Sequence, residues 1–89
     1  MRMLTWTDYF KHRVRLRGFD LATIEQIVQF SEERYFDTAT QRRVVVGHHG
    51  SRLVMIPYEQ AGELVTPVTI HSTTRQQITF RLRTGRFRP

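Results

Sequence analysis

The spacing of apolar residues changes near Arg34, and this change constrains the fold more than any other feature of the chain. Before it, residues 5–17 and 21–31 carry apolar side chains at helical spacing, and Gly18 and Asp20 supply an end and a new cap between the two segments. After it come four β-rich runs separated by turn residues: 35–36, 43–46, 53–56 and 64–70. The pattern predicts an α+β fold in which an N-terminal helical hairpin packs on a three- to four-stranded antiparallel sheet.

The C-terminal segment has two interpretations. Thr73 with Gln76 resembles a capping box, Ile78 and Leu82 lie four residues apart, and these features favour a basic helix over residues 74–84. Ile78, Phe80 and Leu82 also alternate as in a strand. We predict the helix.

The length of 89 residues predicts one domain, 1–89, with a modest core. The chain has no cysteine, so neither disulfides nor thiolate metal sites are expected. No stretch approaches the roughly 18–20 apolar residues that span a bilayer. We expect a cytoplasmic protein with no membrane partner and no cofactor.

Arginine dominates the charge of the chain, and most clearly at its C-terminal end. The net charge is +6, and the fourteen basic residues include a single lysine, Lys11. Residues 71–89 contain no acidic residue and five arginines: Arg75, Arg81, Arg83, Arg86 and Arg88. Because the guanidinium group is always charged and matches phosphate geometry, this cluster predicts contact with a polyanion. A basic surface kept for solubility, or for an acidic protein partner, is the alternative.

The four histidines offer proton-transfer groups but no recognisable metal site. His48 and His49 lie in a predicted hairpin turn with no third ligand at a suitable spacing. His71 ends the last predicted strand, immediately before the arginine-rich segment. Histidine can give or take a proton near neutral pH, and arginine can stabilise the charge on a pentacoordinate phosphorus. The chain therefore has the residues that metal-free cleavage of RNA through its own 2′-hydroxyl requires.

Three stretches together resemble small toxins of the RelE/ParE superfamily, in particular its BrnT-like and DUF4258-type branch. The first is Trp6-Thr7-Asp8 followed by Phe10-x-x-Arg13-x-x-x-Arg17-Gly18-Phe19-Asp20. The second is Arg43-Val44-Val45-Val46-Gly47 with the hairpin from Gly50 to Met55. The third is Thr69-Ile70-His71-Ser72-Thr73-Thr74-Arg75, which is similar to a strand that runs into a basic helix.

This resemblance implies a RelE-like fold and the toxin of a type II toxin–antitoxin module, an endoribonuclease that cleaves mRNA without a metal. It also implies a small cognate antitoxin as partner. Arg75 takes the place of the family's basic residue after the last strand, Arg52 follows the hairpin glycine, and Trp6 matches an early tryptophan. The role of His71 depends on its position and not on the match. No tyrosine follows the terminal arginines, unlike in some members.

These observations together define the predicted site. The catalytic residues are His71, Arg75, Arg81 and Arg83, with His71 moving a proton and the arginines holding the scissile phosphate. Six residues are expected to bind flanking RNA: Trp6, Lys11, His12, Arg52, Arg86 and Arg88. Trp6 has the alternative of anchoring the first helix on the sheet. Two other functions stay open, a non-catalytic RNA- or DNA-binding module and a ParE-like gyrase inhibitor.

Overall fold

The chain forms three α-helices and seven β-strands in a computed structural model that describes residues 2–89. The helices are α1 (Asp8–Leu16), α2 (Leu21–Phe30) and α3 (Arg75–Arg83). The strands are β1 (Met3–Leu4), β2 (Arg34–Asp37), β3 (Arg42–His49), β4 (Arg52–Ala61), β5 (Leu64–Pro67), β6 (His71–Ser72) and β7 (Phe87–Arg88). This is the α+β class that the change in periodicity predicts.

All the strands belong to one mixed sheet. Its order is β1-β5-β4-β3-β2-β7, and β6 pairs with β4 outside that path. β1 runs parallel to β5, whereas the other pairs are antiparallel. The prediction of three to four antiparallel strands was therefore wrong in number and in direction. The three strands that it missed, β1, β6 and β7, have two residues each, too few to show an alternating pattern.

Side chains that cap the helices determine where α1 and α2 begin. The first helix starts three residues later than predicted because Thr5 still continues the β1 pairing, its amide donating to the carbonyl of Val65 at 3.0 Å. Thr7 is the cap, and its hydroxyl accepts from the amide of Phe10 at 3.0 Å. Asp20 caps α2 as expected, accepting from the amide of Thr23 at 3.0 Å.

Alternating side chains of the central strands build a core on each face of the sheet. Val45 faces α1 and α2 together with Val54 and Ile56, and Phe10 and Val28 bring the two helices onto them. On the opposite face, α3 packs through Ile78, half-buried Leu82 and the tail residue Phe87 against a second group, Val44, Val46 and Leu53. Because both faces of β3 are covered, its three valines are all fully buried.

The strand predicted over residues 64–70 ends early in the structure, and the separate strand β6 begins only after its predicted end. β5 ends at Pro67, which has no amide to donate to a ladder. The chain then returns along the middle of β4, where His71 pairs with Met55 and Ser72 with Val54. α3 follows at once, capped by the Thr74 hydroxyl, which accepts from the amide of Gln77 at 3.1 Å. The helix predicted for residues 74–84 is confirmed.

None of the helices in the described part of the chain combines the length and the apolar character that crossing a bilayer requires.

The close approach of α2 to the sheet predicts that Gly47 does not tolerate a side chain. A Cβ atom at Gly47 would lie 2.7 Å from Cγ2 of Ile27, a branched side chain with little freedom to move aside. We expect Gly47→Ala to lower the free energy of unfolding by about 1–3 kcal/mol, as overpacked cores do. Urea denaturation measures the loss. In an Ile27→Ala background the same substitution should cost much less, and an equal loss in both backgrounds would contradict this packing.

Candidate anion-binding site at strand β6

Strand β6 places His71 at an edge of the sheet where the two layers of the molecule meet. β6 pairs with β4 alone, so its other side is not covered by a strand. His71 lies on the same face as its cross-strand partner Met55, which packs against the α3 core, whereas the preceding residue, Ile70, belongs to the core under α1 and α2. The side chain of His71 is half-buried.

Arginines from three elements contact the residues around His71. Arg17, at the end of α1, donates from Nη1 to the carbonyl of Ile70 at 3.3 Å. Arg52, the first residue of β4, donates from Nη2 to Oγ of Ser72 at 3.3 Å. Arg81 of α3 lies with Nη1 4.0 Å from Sδ of Met55. These contacts bring groups that are far apart in the sequence to strand β6 and its neighbour β4.

The charges of this region act directly on His71. Burial lowers the pKa of its imidazole, and the positive charges of Arg17, Arg13 and Arg81 lower it further. The neutral form, which can accept a proton, is therefore favoured at neutral pH. We call His71 together with Arg13, Arg17, Arg52 and Arg81 the His71 site.

The arginines of the His71 site have no carboxylate partners. Within residues 2–89 the ion pairs are Arg75 with Glu33 and Arg86 with Asp37, and neither includes an arginine of the site. Four guanidinium groups without a counter-ion in the described chain are suited to bind an anion, and guanidinium matches the geometry of phosphate as well as that of carboxylate.

Aromatic rings and backbone carbonyls hold these side chains in place. The guanidinium carbon of Arg52 lies 4.1 Å from the ring centre of Phe19, and its Nη1 donates to the carbonyl of Arg17 at 3.4 Å. Arg13 lies over the ring of Tyr9 at 5.7 Å. Its Nε atom is buried and has no hydrogen-bond partner in the described chain. These contacts position the guanidinium groups without neutralising their positive charge.

The predicted catalytic residues do not all lie together in the structure. His71 and Arg81 come together in the His71 site. Arg75 instead donates to a carboxylate oxygen of Glu33 at 2.6 Å, and the hydroxyl of Tyr35 donates to the same oxygen at 2.8 Å. Arg75 accordingly lowers the pKa of Glu33. Arg83 is exposed, and its place two residues beyond Arg81 puts it on another side of α3.

The predicted RNA-binding residues are divided in the same way. Arg52 belongs to the His71 site, whereas Arg86 pairs with Asp37 and holds the C-terminal tail. Trp6 stacks on Phe10, with ring centres 5.5 Å apart, and packs against the core under α1, so the structure explains it by packing. Of three further residues, His12 and Arg88 are exposed and Lys11 is half-buried, and within residues 2–89 no side-chain hydrogen bond or ion pair joins them to the His71 site.

Arg13 and Arg17 are the site residues that the sequence-based prediction missed. Arg13 lies on α1 and Arg17, four residues later, caps the C-terminal end of this helix, so both project from one side of it towards β6. That spacing was visible in the sequence. What it did not show was the pairing of β6 with β4, which brings His71 to the end of α1.

His48 and His49 do not meet as metal ligands. Nε2 of His49 accepts from the amide of Asp20 at 2.8 Å, and its ring contacts Phe19 edge-on at 5.1 Å. Among residues 2–89 no three side chains of His, Cys, Asp or Glu lie grouped as a metal site requires.

Comparisons with known protein families, with characterised proteins and with solved structures give no significant match for this chain. The resemblance to RelE/ParE toxins therefore stays a prediction from the sequence motifs.

The Arg86–Asp37 pair predicts a structural role for Arg86. Asp37 is 4% exposed and accepts from Nε of Arg86 at 3.2 Å and from Nη2 at 3.3 Å. Burial raises the pKa of this carboxyl, but hydrogen bonds from Arg86 and from the amides of Ala39 and Thr40 outweigh burial and hold the pKa below its usual value. We expect Arg86→Ala to lower the free energy of unfolding at pH 7 by about 1–3 kcal/mol, because a buried acceptor loses its partner.

Since a depressed carboxyl pKa stabilises the fold only while the group is ionised, this loss should shrink as the pH falls through the pKa of Asp37 in the folded protein. Urea denaturation at neutral and acidic pH measures both effects. Arg88→Ala, at an exposed position two residues later in β7, is the control and should leave stability unchanged. Equal stability of the two variants would contradict the structural role.

Proposed function

We propose that this protein binds single-stranded RNA at the His71 site and cleaves it there without a metal ion. One observation carries the proposal. The positive charges of Arg13, Arg17 and Arg81 act on a half-buried histidine at a sheet edge, Arg52 contacts the next residue, Ser72, and none of these arginines is paired with a carboxylate in the described chain. A proton acceptor beside unneutralised guanidinium groups is the combination that attack by a 2′-hydroxyl on the adjacent phosphorus requires.

Each group of the His71 site has a part in that reaction. Neutral His71 takes the proton of the 2′-hydroxyl as its oxygen forms a bond to phosphorus. Arg17 and Arg81 stabilise the negative charge that builds on the phosphoryl oxygens, and Arg52 holds the neighbouring phosphate. The bond from phosphorus to the 5′-oxygen breaks, and water supplies the proton to that oxygen. The products are a 2′,3′-cyclic phosphate and a 5′-hydroxyl, and His71 then returns its proton to solvent.

The toxin assignment belongs to the same proposal. The motif resemblance supports a RelE-like arrangement, a toxin of a type II toxin–antitoxin module, mRNA as the substrate and action in the cytoplasm. The excess of positive charge suits an acidic antitoxin segment that would cover the arginines of the His71 site. The gyrase-inhibitor alternative stays a prediction.

A second candidate, a module that binds RNA without cleaving it, is favoured by one feature of the same site. His71 is its one side chain that titrates near neutral pH, because arginine does not give up its proton. Cleavage requires one proton to be taken up and another to be returned, and the site has a single side chain for both steps, whereas binding requires no proton transfer. Incubation with end-labelled RNA separates the two functions, since a nuclease leaves fragments and a binding module leaves intact strands.

Substitutions within the His71 site should slow cleavage strongly. His71→Ala removes the proton acceptor and should slow cleavage by about 10²–10⁴-fold. Arg17→Ala removes one stabilising charge and should slow it by about 10²–10³-fold, by analogy with loss of one oxyanion donor. Arg15→Ala, an exposed arginine two residues earlier on α1, is the matched control and should cleave at the rate of the unaltered protein. Similar cleavage rates for Arg15→Ala and Arg17→Ala would contradict the role of Arg17 in the reaction.

The lowered pKa of His71 predicts the pH dependence of cleavage. The proton acceptor must be neutral, so the rate should rise with pH through the pKa of His71, which lies below the ordinary histidine value of about 6.5, and then level off. Initial rates on a fluorescent RNA across this range give the profile. The rate at neutral pH should be unchanged in EDTA. A loss of cleavage in EDTA that magnesium restores would rule out the metal-free mechanism.

A further inference from the structure

A groove beside α3 adjoins the His71 site and is not used by the reaction described above. It has a volume of about 380 Å³ and is lined by Gln76, Gln77, Phe80, Arg81, Thr84 and Arg86. This volume lies within the range of clefts that hold small organic ligands. Arg81 is shared, because it lines the groove and also belongs to the His71 site.

Phe80 gives the groove an aromatic surface that the fold does not use. α3 packs on the sheet through Ile78 and Leu82, and Phe80 remains 62% exposed. A large aromatic side chain facing solvent beside a cleft can stack on a flat ring from a ligand. In proteins that bind single-stranded nucleic acid, such rings stack on bases of any sequence.

The charges of the groove point to a ligand with a phosphate at one end only. Arg86 is neutralised by Asp37, whereas Arg81 has no carboxylate partner in the described chain. The guanidinium of Arg81 is held over the ring of Phe87, 5.5 Å from its centre, and against Sδ of Met55. A phosphate that contacts Arg81 would therefore lie between the groove and His71.

Two glutamines supply polar groups that match the edge of a base. Gln77 accepts at Oε1 from the hydroxyl of Thr73 at 3.1 Å, which leaves its amide hydrogens free to donate. Gln76 is exposed one residue earlier on the same helix. Side-chain amides are suited to the hydrogen-bonding edges of unpaired bases.

We infer that this groove is a base-binding subsite, in which a nucleobase of the RNA strand stacks on Phe80 while its phosphate contacts Arg81. The inference rests on the proposed function, which it deepens by stating how the strand is held. Stacking on Phe80 would fix the nucleotide next to the scissile phosphate and orient its sugar relative to His71.

The test measures affinity for a short 2′-O-methyl RNA strand, which lacks the attacking hydroxyl and so cannot be cleaved. A second strand with abasic sugars carries the same phosphates and no bases. Fluorescence anisotropy gives the affinity of the unaltered protein and of Phe80→Ala, Phe80→Trp and Phe30→Ala for each strand. Phe30 is the matched control, because it is 61% exposed and lies at the end of α2 outside the groove.

We expect Phe80→Ala to bind the intact strand about ten-fold more weakly, the scale of one lost stacked base, and to bind the abasic strand as the unaltered protein does. Phe80→Trp should retain affinity because a larger ring still stacks, and Phe30→Ala should be unchanged on both strands. Unchanged affinity of Phe80→Ala for the intact strand, or an equal loss on both strands, would overturn the subsite.

Cleavage of unmodified RNA separates this inference from the function on which it rests. If cleavage depends on His71 but not on Phe80, and Phe80→Ala binds RNA normally, the base-binding subsite is contradicted and the ribonuclease function is supported. If binding depends on Phe80 and the unaltered protein cleaves no RNA, the base-binding subsite is supported and the ribonuclease function is contradicted. Failure of the unaltered protein to bind either strand removes both.

Discussion

The pairing of β3 with β4 is the interaction on which the rest of the structure depends. Val45 pairs with Ile56 on one face, and Val46 pairs with Met55 on the other, so each layer of helices has an apolar surface to cover. A shift of one residue in this register would exchange the two faces and remove the contacts of both layers. The positions of α1, α2 and α3 therefore follow from one strand pair, and with them the directions from which charged side chains reach β6.

The His71 site exists because β6 lies at the boundary between these two layers. Arg17 reaches it from the α1 layer and Arg81 from the α3 layer, while Arg52 comes from the sheet itself. Like charges held together without counter-ions destabilise a fold, and here the ring of Phe19 and the carbonyl of Ile70 offset part of that cost. Such local cost is typical of sites whose positive charge is used in binding.

The sequence predicted the features that depend on local pattern and missed those that depend on long-range pairing. Asp20 as a cap, the helix after Thr74 and the valines of β3 all carry signals within a few neighbouring residues. β6 has no such signal, because two residues show no period and their partner lies in β4. The same limit explains the candidate site. Arg75 and Arg81 look alike in the sequence, but only the fold shows that Arg75 faces Glu33 and Arg81 faces Met55.

The central claim is that guanidinium groups from separate elements act on one half-buried imidazole and lower its pKa, so that a bound phosphate would raise that pKa again. Titration of His71 by NMR, alone and with an uncleavable RNA strand, tests this most directly. The account predicts a pKa below the ordinary histidine value in the free protein, and a rise on binding because a phosphate favours the imidazolium form. An ordinary pKa that does not change when the strand binds would contradict it.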